Sequence, residues 1–481
     1  MRTSFAVLDK TGRDVVPTVV RALKSLSQED SGFTFASPFT LIESEEFIEI
    51  QEQETRSPVA IGAVFSKGSI RNESFITRVE NAASSFEGRL YPSSTKASRK
   101  PVLGNNLKLP YEKVLEDLLT KSEGDFSFIV AEPERILVAR DVIGVQPLYY
   151  GENADLAALA SNRTALWKLG MSEVHSFPPG NLASVSREGF EFKPVKTLSC
   201  SSPQRITLDE ASIKLQKMLE NSVRARVSGM KEVAVAFSGG LDSSVVAYLA
   251  KKCGAAVHLV HVSLQGQRET EEARKSADEL DLPLSVYLFE PEVVEKAVAK
   301  VVELIEEPDP VKAVIGVPFY WVAEKTAESG LNVLLAGQGA DELFGGYRRY
   351  VNEYMAHGAA KVREVLYSDV VRLHEANIER DEKICRFYDV SLRLPFASYE
   401  IAEFALSLPM DLKIEKKIDG QRKLVLRKVA KNLGLPESIV NKPKRAVQYA
   451  TGVNDVLGKI AKKHGMTVRS YIEKVFREEK C

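Results

Sequence analysis

Cysteine is scarce in this sequence. The four residues, Cys200, Cys253, Cys385 and Cys481, show no C-x-x-C spacing, and none precedes position 200. A disulfide framework and a structural zinc site are therefore not expected. An excess of either charge is missing as well: 65 Lys and Arg face 66 Asp and Glu, a formal net charge of −1. Nothing in that balance points to a polyanion such as nucleic acid as a partner. No run of about 18 apolar residues occurs, so no membrane partner or span is expected. The chain opens with only a short apolar stretch, Phe5 to Leu8, before Asp9 and Lys10. That is too brief for a signal-peptide core, and the sequence reads as cytoplasmic. Of the six histidines only His258 and His261 are near neighbours, and they alternate with apolar residues as strand residues do. They read as structural rather than as metal ligands.

What is present is an ordinary globular composition, 44% hydrophobic and 27% charged over 481 residues. That length accommodates about two to four domains. Residues 1–200 read as β-rich with a few helices. Helical spacing runs over 15–26 and again over 111–121, where Val114, Leu115, Leu118 and Leu119 share a side. Residues 39–50 alternate like a strand with an exposed acidic edge. Residues 93–108 form a polar loop. Strands over 124–130 and 135–139, joined by Gly and Pro turns, imply a two-layer β domain. The polar stretch 199–204 marks a boundary, giving domains 1–200 and 205–481. Thr207, followed three residues on by Glu210, predicts a capping box opening a helix. From Val233 the pattern alternates: strand 233–237, helix 243–252, strand 257–264, helix 269–281, strand 284–289, helix 291–305. A doubly wound parallel sheet with ligands at its strand C-termini follows. Residues 350–481 read as largely helical, with a helix over 423–433 and a terminal one over 456–476. The mixed-charge run 415–427 reads as a solvated turn and helix.

Two stretches carry chemistry. The first is Ala234-Val235-Ala236-Phe237-Ser238-Gly239-Gly240-Leu241-Asp242-Ser243-Ser244. A strand ends in a small, hydroxyl-rich turn and the chain restarts as a helix. Paired glycines let the backbone approach a bulky anion. The hydroxyls of Ser238, Ser243 and Ser244, with free N–H groups at a helix start, suit a phosphate. Asp242 beside that anion makes sense if magnesium bridges them. The Walker lysine is absent, so this is not a P-loop. The second is Leu335-Ala336-Gly337-Gln338-Gly339-Ala340-Asp341-Glu342-Leu343-Phe344-Gly345-Gly346-Tyr347, again strand, glycine turn and acidic pair. Asp341 and Asp242, brought together from two strand ends, would clamp Mg²⁺.

The first stretch resembles the S-G-G-x-D-S pyrophosphate loop of enzymes that split ATP to AMP and pyrophosphate. The second resembles the G-E-G-A-D-E-L-F-G-G-Y segment of asparagine synthetases. Arg393, Pro395 and Phe396 match a further family segment, and Lys444 matches its loop lysine, which steadies charge during adenylation and amide formation. In the N-terminal half, G-D-F-x-F at 124–128 and R-D-x-x-G-x-x-P-L-Y-Y at 140–150 are similar to class II glutamine amidotransferases. The resemblance implies an Ntn-hydrolase-like first domain. It implies a second domain like the adenine-nucleotide α-hydrolases, with a helical C-terminal part. Nucleotide contacts are expected from Phe237, Ser238, Gly239, Gly240, Asp242, Ser243, Ser244, the backbone of Leu264, Ala336, Gly337 and Gly339. Magnesium is expected on Asp242 and Asp341, and catalytic roles at Lys444 and Gln338. The implied reaction is ATP-dependent adenylation of a carboxylate, the aspartate β-carboxylate first in line, then transfer to ammonia or an amine. The family resemblance leaves room for a homodimer.

Three departures matter. Position 2, where the family places its cysteine nucleophile, is Arg2, and Glu87 stands where an oxyanion-hole asparagine belongs, so a working glutaminase is not expected. Gln338 replaces a glutamate that manages protons, and a glutamine cannot accept one. Ser391 and Ser398 stand where acidic residues are usual. Two alternatives stay open: a ligase for another carboxylate–amine pair, like relatives that close β-lactam rings, and an ATP-binding scaffold without turnover.

Overall fold

The computed structural model describes residues 2–66, 74–92, 110–443 and 451–480. The chain divides into two compact units, 1–197 and 198–481.

The first unit is built on two antiparallel sheets. In one, strands run in the order 175–176, 149–152, 156–160, 2–9, 59–66, 31–36, 41–44; in the other, 189–194, 181–186, 136–140, 123–131, 82–91, 74–79. The period of two in the first strand shows how the layers stack. Ala6 and Leu8 point into the core shared with Ile129, Val138 and Leu159. Phe5 and Val7 point the other way, onto Val16, Val19 and Leu23 of the helix Val16–Leu26. The second sheet is likewise covered by the helix Tyr111–Lys121, whose Leu115, Leu118 and Leu119 meet Phe86 and Phe128. Both expected β layers are therefore present, each with a helix outside it. The expected strand over 39–50 is only partly found. Leu41–Ser44 is an edge strand, but Phe47–Gln51 is a helical turn, because Phe47 packs on Phe33 and Ile50 is fully buried. The polar loop expected over 93–108 lies outside the described residues.

Arg140 and Asp141 are structural. Arg140, wholly buried, donates to the carbonyls of Gln146 (2.7 Å), Phe177 (2.7 Å) and Gly144 (2.8 Å). Asp141 accepts from the backbone N–H groups of Ile143, Gly144, Val145 and Gln146 at 2.7–3.1 Å. The R-D-x-x-G motif thus knots its own turn, and burial beside Asp125 pushes the Asp141 carboxyl up to about 6.

In the second unit five strands, β1 (Glu232–Ala236), β2 (Ala256–Leu264), β3 (Leu284–Phe289), β4 (Val333–Leu335) and β5 (Ser391–Arg393), lie in the order β3-β2-β1-β4-β5. All pairs are parallel. The helices include α1 (Leu208–Val227), α2 (Leu241–Lys252), α3 (Arg268–Glu279), α4 (Val293–Ile305), α5 (Pro310–Glu328), α6 (Ala340–Phe344), α7 (Arg348–Val371), α8 (Glu379–Phe387), α9 (Tyr399–Ser407) and α10 (Leu424–Asn432). The predicted capping box on α1 is formed, with Thr207 and Glu210 bonded reciprocally. Strand succession runs outward from β1 through β2 to β3, then returns to its other side for β4 and β5. That reversal opens a crevice between the carboxyl ends of β1 and β4. The terminal helix expected over 456–476 is two helices, Val453–Lys463 and Val468–Lys480. Gly465, at φ +67°, turns the chain between them, and the Thr467 hydroxyl receives the Ser470 N–H. No helix among the described residues is long and apolar enough to cross a membrane.

Candidate active site

The two sequence stretches meet at this reversal. β1 ends at Ala236 and hands the chain to Phe237-Ser238-Gly239-Gly240 before α2; β4 ends at Leu335 and hands it to Ala336-Gly337-Gln338-Gly339 before α6. A methyl group on Gly337 would sit 2.9 Å from the Asp242 Cβ, so glycine is what lets the two turns touch. Gly239 sits at φ +65° under α3, where the Ser276 hydroxyl holds its carbonyl at 3.2 Å. α2 begins at Gly240 with no side-chain cap, leaving its first-turn N–H groups for an anion. Ser238 and Ser243 present their hydroxyls together, 3.3 Å apart, whereas Ser244 is wholly buried in α2 and its hydroxyl has no hydrogen-bond partner among the described residues. Of the three serines, Ser238 and Ser243 are the ones the turn gathers. The Leu264 N–H, expected toward adenine, donates to the Thr451 carbonyl at 3.0 Å. Its neighbour His261 is structural, as expected: Nδ1 lies 2.9 Å from the Phe237 carbonyl, and burial pushes its pKa down.

Asp242 and Asp341 converge, and a lysine bridges them. Lys423 Nζ donates to both Asp242 oxygens at 2.7 and 2.6 Å and lies 2.7 Å from Asp341 Oδ1. Its side chain is 4% exposed, while those of Asp242 and Asp341 are 16% and 14% exposed. Lys423 adopts a left-handed φ of +59° at the start of α10, which turns its side chain back under the site. Gly346 makes room for this junction. A Cβ there would fall 1.8 Å from Asp341 Oδ1 and 2.4 Å from Lys423 Cε. The second glycine of G-G-Y is thus explained by packing.

The run 415–427 is the solvated surface that its mixed charge suggests only in its first part: residues 416–419 are exposed, whereas Lys423 and residues 425–427 are buried. Beyond Lys423, Arg427 donates to the carbonyls of Arg422 at 2.7 Å and Lys442 at 3.1 Å. It fixes the strand of chain from which Lys442 reaches the Gly239 carbonyl at 3.1 Å and Glu272 at 3.3 Å. Lys423 and Lys442 are the site residues that the sequence did not disclose, since isolated lysines carry no spacing. Lys444 lies outside the described residues.

On the far side of the β4 turn, the Gln338 amide donates to the buried Asp381 carboxylate of α8. Arg380 holds that carboxylate at both oxygens, 2.8 and 3.1 Å. Burial pushes the Asp381 carboxyl up while Arg380 opposes the shift. Glu342, also buried, accepts from the Tyr347 hydroxyl at 2.5 Å and Asn377 Nδ2 at 2.8 Å. It therefore braces the G-G-Y tail rather than facing the crevice.

In the first unit, Glu87 is 2% exposed. It accepts from the Ser4 hydroxyl and, at 3.0 Å, from Gln146 Nε2. The Thr3 hydroxyl is held by Asn162 Nδ2 at 2.8 Å.

Comparison with known proteins identifies the family. The family model described as asparagine synthase matches residues 214–361 and 352–480, and one described as a glutamine amidotransferase domain matches 102–168. The chain is similar to a glutamine-hydrolyzing asparagine synthetase of Methanocaldococcus jannaschii, with 32% identity over 73% of each chain. It is 28% identical to the asparagine synthetase of Asparagus officinalis and 25% identical to a Dictyostelium discoideum protein of that description, in each case over 71% of this chain. It spans 60% and 66% of those two proteins.

Proposed function

The chain belongs to the asparagine synthase family of ATP-dependent carbon–nitrogen ligases, and we propose that it adenylates the β-carboxylate of aspartate and passes the acyl group to ammonia. The observation that carries this reading is the junction of Asp242 and Asp341 at the end of β1 and β4. Two hard oxygen donors that share one lysine ammonium suit magnesium, which keeps several waters and shares the remainder with phosphates. When bound there, magnesium would neutralise charge on the β- and γ-phosphates.

The chain's own groups do the rest. The N–H groups opening α2 and the hydroxyls of Ser238 and Ser243 receive phosphate oxygens. Lys423, already between the two aspartates, passes its ammonium from carboxylate to phosphate as the nucleotide enters. Lys442 lies against the Gly239 carbonyl and adds positive charge beside the same turn. Lys444 is assigned the charge that builds up on the acyl and leaving groups. Gln338 orients the nitrogen nucleophile but cannot take its proton.

Free ammonia is proposed as the donor because the first unit carries an acid where the oxyanion would form. The resemblance puts Glu87 where an oxyanion-hole asparagine belongs, and its buried carboxyl is tied to Ser4 and Gln146 rather than offering a donor amide. A second reading, another carboxylate with an amine acceptor, draws on the glutamine at 338 and its bond to Asp381. Purified protein incubated with ATP, aspartate and ammonium should form asparagine, AMP and pyrophosphate in equal amounts. Glutamine in place of ammonium should give none. Asparagine from glutamine would refute the loss of the glutaminase; no asparagine from ammonium would favour the second reading.

A further inference from the structure

Helix α8 carries five consecutive charged residues, Glu379, Arg380, Asp381, Glu382 and Lys383, all buried. Burying charge without partners is costly, and this run is paired. Lys383 meets Glu306 at 2.8 Å, and Arg380 grips Asp381. Asp381 also reaches out of the helix, to the Gln338 amide at the β4 turn.

That bond fixes more than a contact. The NH₂ end of Gln338 donates to Asp381, so the amide's carbonyl oxygen faces away from it. Arg380, bonded to both Asp381 oxygens and 3.3 Å from Asn377 Oδ1, holds the aspartate side chain in place. Asn377 in turn bonds Glu342, so Gln338 is linked through Asp381, Arg380 and Asn377 to the acidic pair of the second motif. Gln338 Oε1 has no hydrogen-bond partner among the described residues, and the residue is half-buried.

We propose that Asp381 is a positioning residue for amide formation: it locks the Gln338 amide so that the carbonyl oxygen receives an N–H of the incoming ammonia or primary amine. This rests on the ligase reading above. The nitrogen lone pair forms the new bond to the acyl carbon. The bond from that carbon to the AMP oxygen breaks, and its electron pair leaves with AMP. The surplus proton of the nitrogen passes to water. Gln338 holds the nitrogen with its lone pair toward the acyl carbon and takes no proton itself.

The test uses the full-length protein and two assays, amide formation with ammonium and carboxylate-dependent ATP–pyrophosphate exchange. Asp381→Asn and Gln338→Met should each raise the KM for ammonium roughly tenfold, the scale of one lost hydrogen bond to a well-placed acceptor. The double variant should be no worse than Gln338→Met alone, because Asp381 acts through Gln338. A purely structural Asp381 would instead give additive losses, and additivity overturns the proposal, as does an unchanged ammonium KM in Asp381→Asn. If Asp381→Asn does not fold, Gln338→Met decides alone, and a wild-type KM there is equally fatal. Absence of exchange with every carboxylate in the unaltered protein would remove the ligase reading itself. That is a separate result from normal exchange with an unaltered amine KM.

Discussion

Lys423→Met removes the ammonium between Asp242 and Asp341 while keeping most of the side-chain stem. The two carboxylates, 16% and 14% exposed, then lose the ammonium held at 2.6–2.7 Å. Removing one partner of a buried pair costs about 3–5 kcal/mol. Because both carboxylates are partly open to water, a value near ~2–3 kcal/mol is expected here. For a folding unit of this size that corresponds to a fall in melting temperature of about 3–5 °C. Scanning calorimetry at neutral pH and low salt, with and without millimolar magnesium, reads both the loss and its repair. Magnesium should restore part of the stability of the variant, because a dication then binds the folded form at the vacated position. It should do less for the unaltered protein, whose lysine competes for the same oxygens. Adding Asp341→Asn to Lys423→Met should also recover stability, since only one carboxylate then remains. A variant as stable as the parent, or one that is destabilised but indifferent to magnesium, would refute the reasoning.

Other consequences are as direct. Gly346→Ala should abolish exchange activity and destabilise the fold, since its methyl would overlap Asp341 Oδ1. Gly330→Ala, at φ +75° but with nothing within 4 Å, should cost only about 1 kcal/mol of backbone strain and keep full exchange. Equal effects of the two would contradict the account of the G-G-Y turn. Lys413 is fully buried; burial, and to a lesser degree Arg363, pushes its pKa from 10.5 down to about 7. Between those values the unfolded chain holds a proton that the folded chain does not, so this lysine makes stability rise with pH across that window. Lys413→Met should therefore raise the melting temperature, and by more at pH 7 than at pH 10; the same gain at both would show that Lys413 keeps its ordinary ionisation. Purified protein given glutamine without ammonium should release no glutamate above background, and release would overturn the reading of Glu87.

Much of this site was legible because its parts are local. The strand–turn–helix at 233–252 and the second at 333–344 follow from apolar runs ending in paired glycines, and the β-α alternation places both at strand carboxyl ends. The capping box of Thr207 and Glu210 is legible for the same reason, being complete within four residues. Lys423 was not legible, because its role depends on a left-handed backbone turn and on two aspartates 181 and 82 positions away in sequence. Nor was Asp381. A charged pentapeptide on a helix reads as a solvated face, and only the packing of α8 reveals that it is buried and aimed at Gln338. The edge segment 39–50 misread for a smaller reason: Phe47 and Ile50, three apart, fit a helical turn as well as an alternating strand.

The central claim is that the crevice at the ends of β1 and β4 activates a carboxylate at the α-phosphate of ATP. Incorporation of labelled pyrophosphate into ATP, measured with magnesium across a panel of carboxylic acids, tests it most directly. Aspartate should support exchange, and Asp242→Ala should abolish it. Exchange supported by a different acid and not by aspartate would reassign the substrate, and no exchange with any acid would contradict the claim itself.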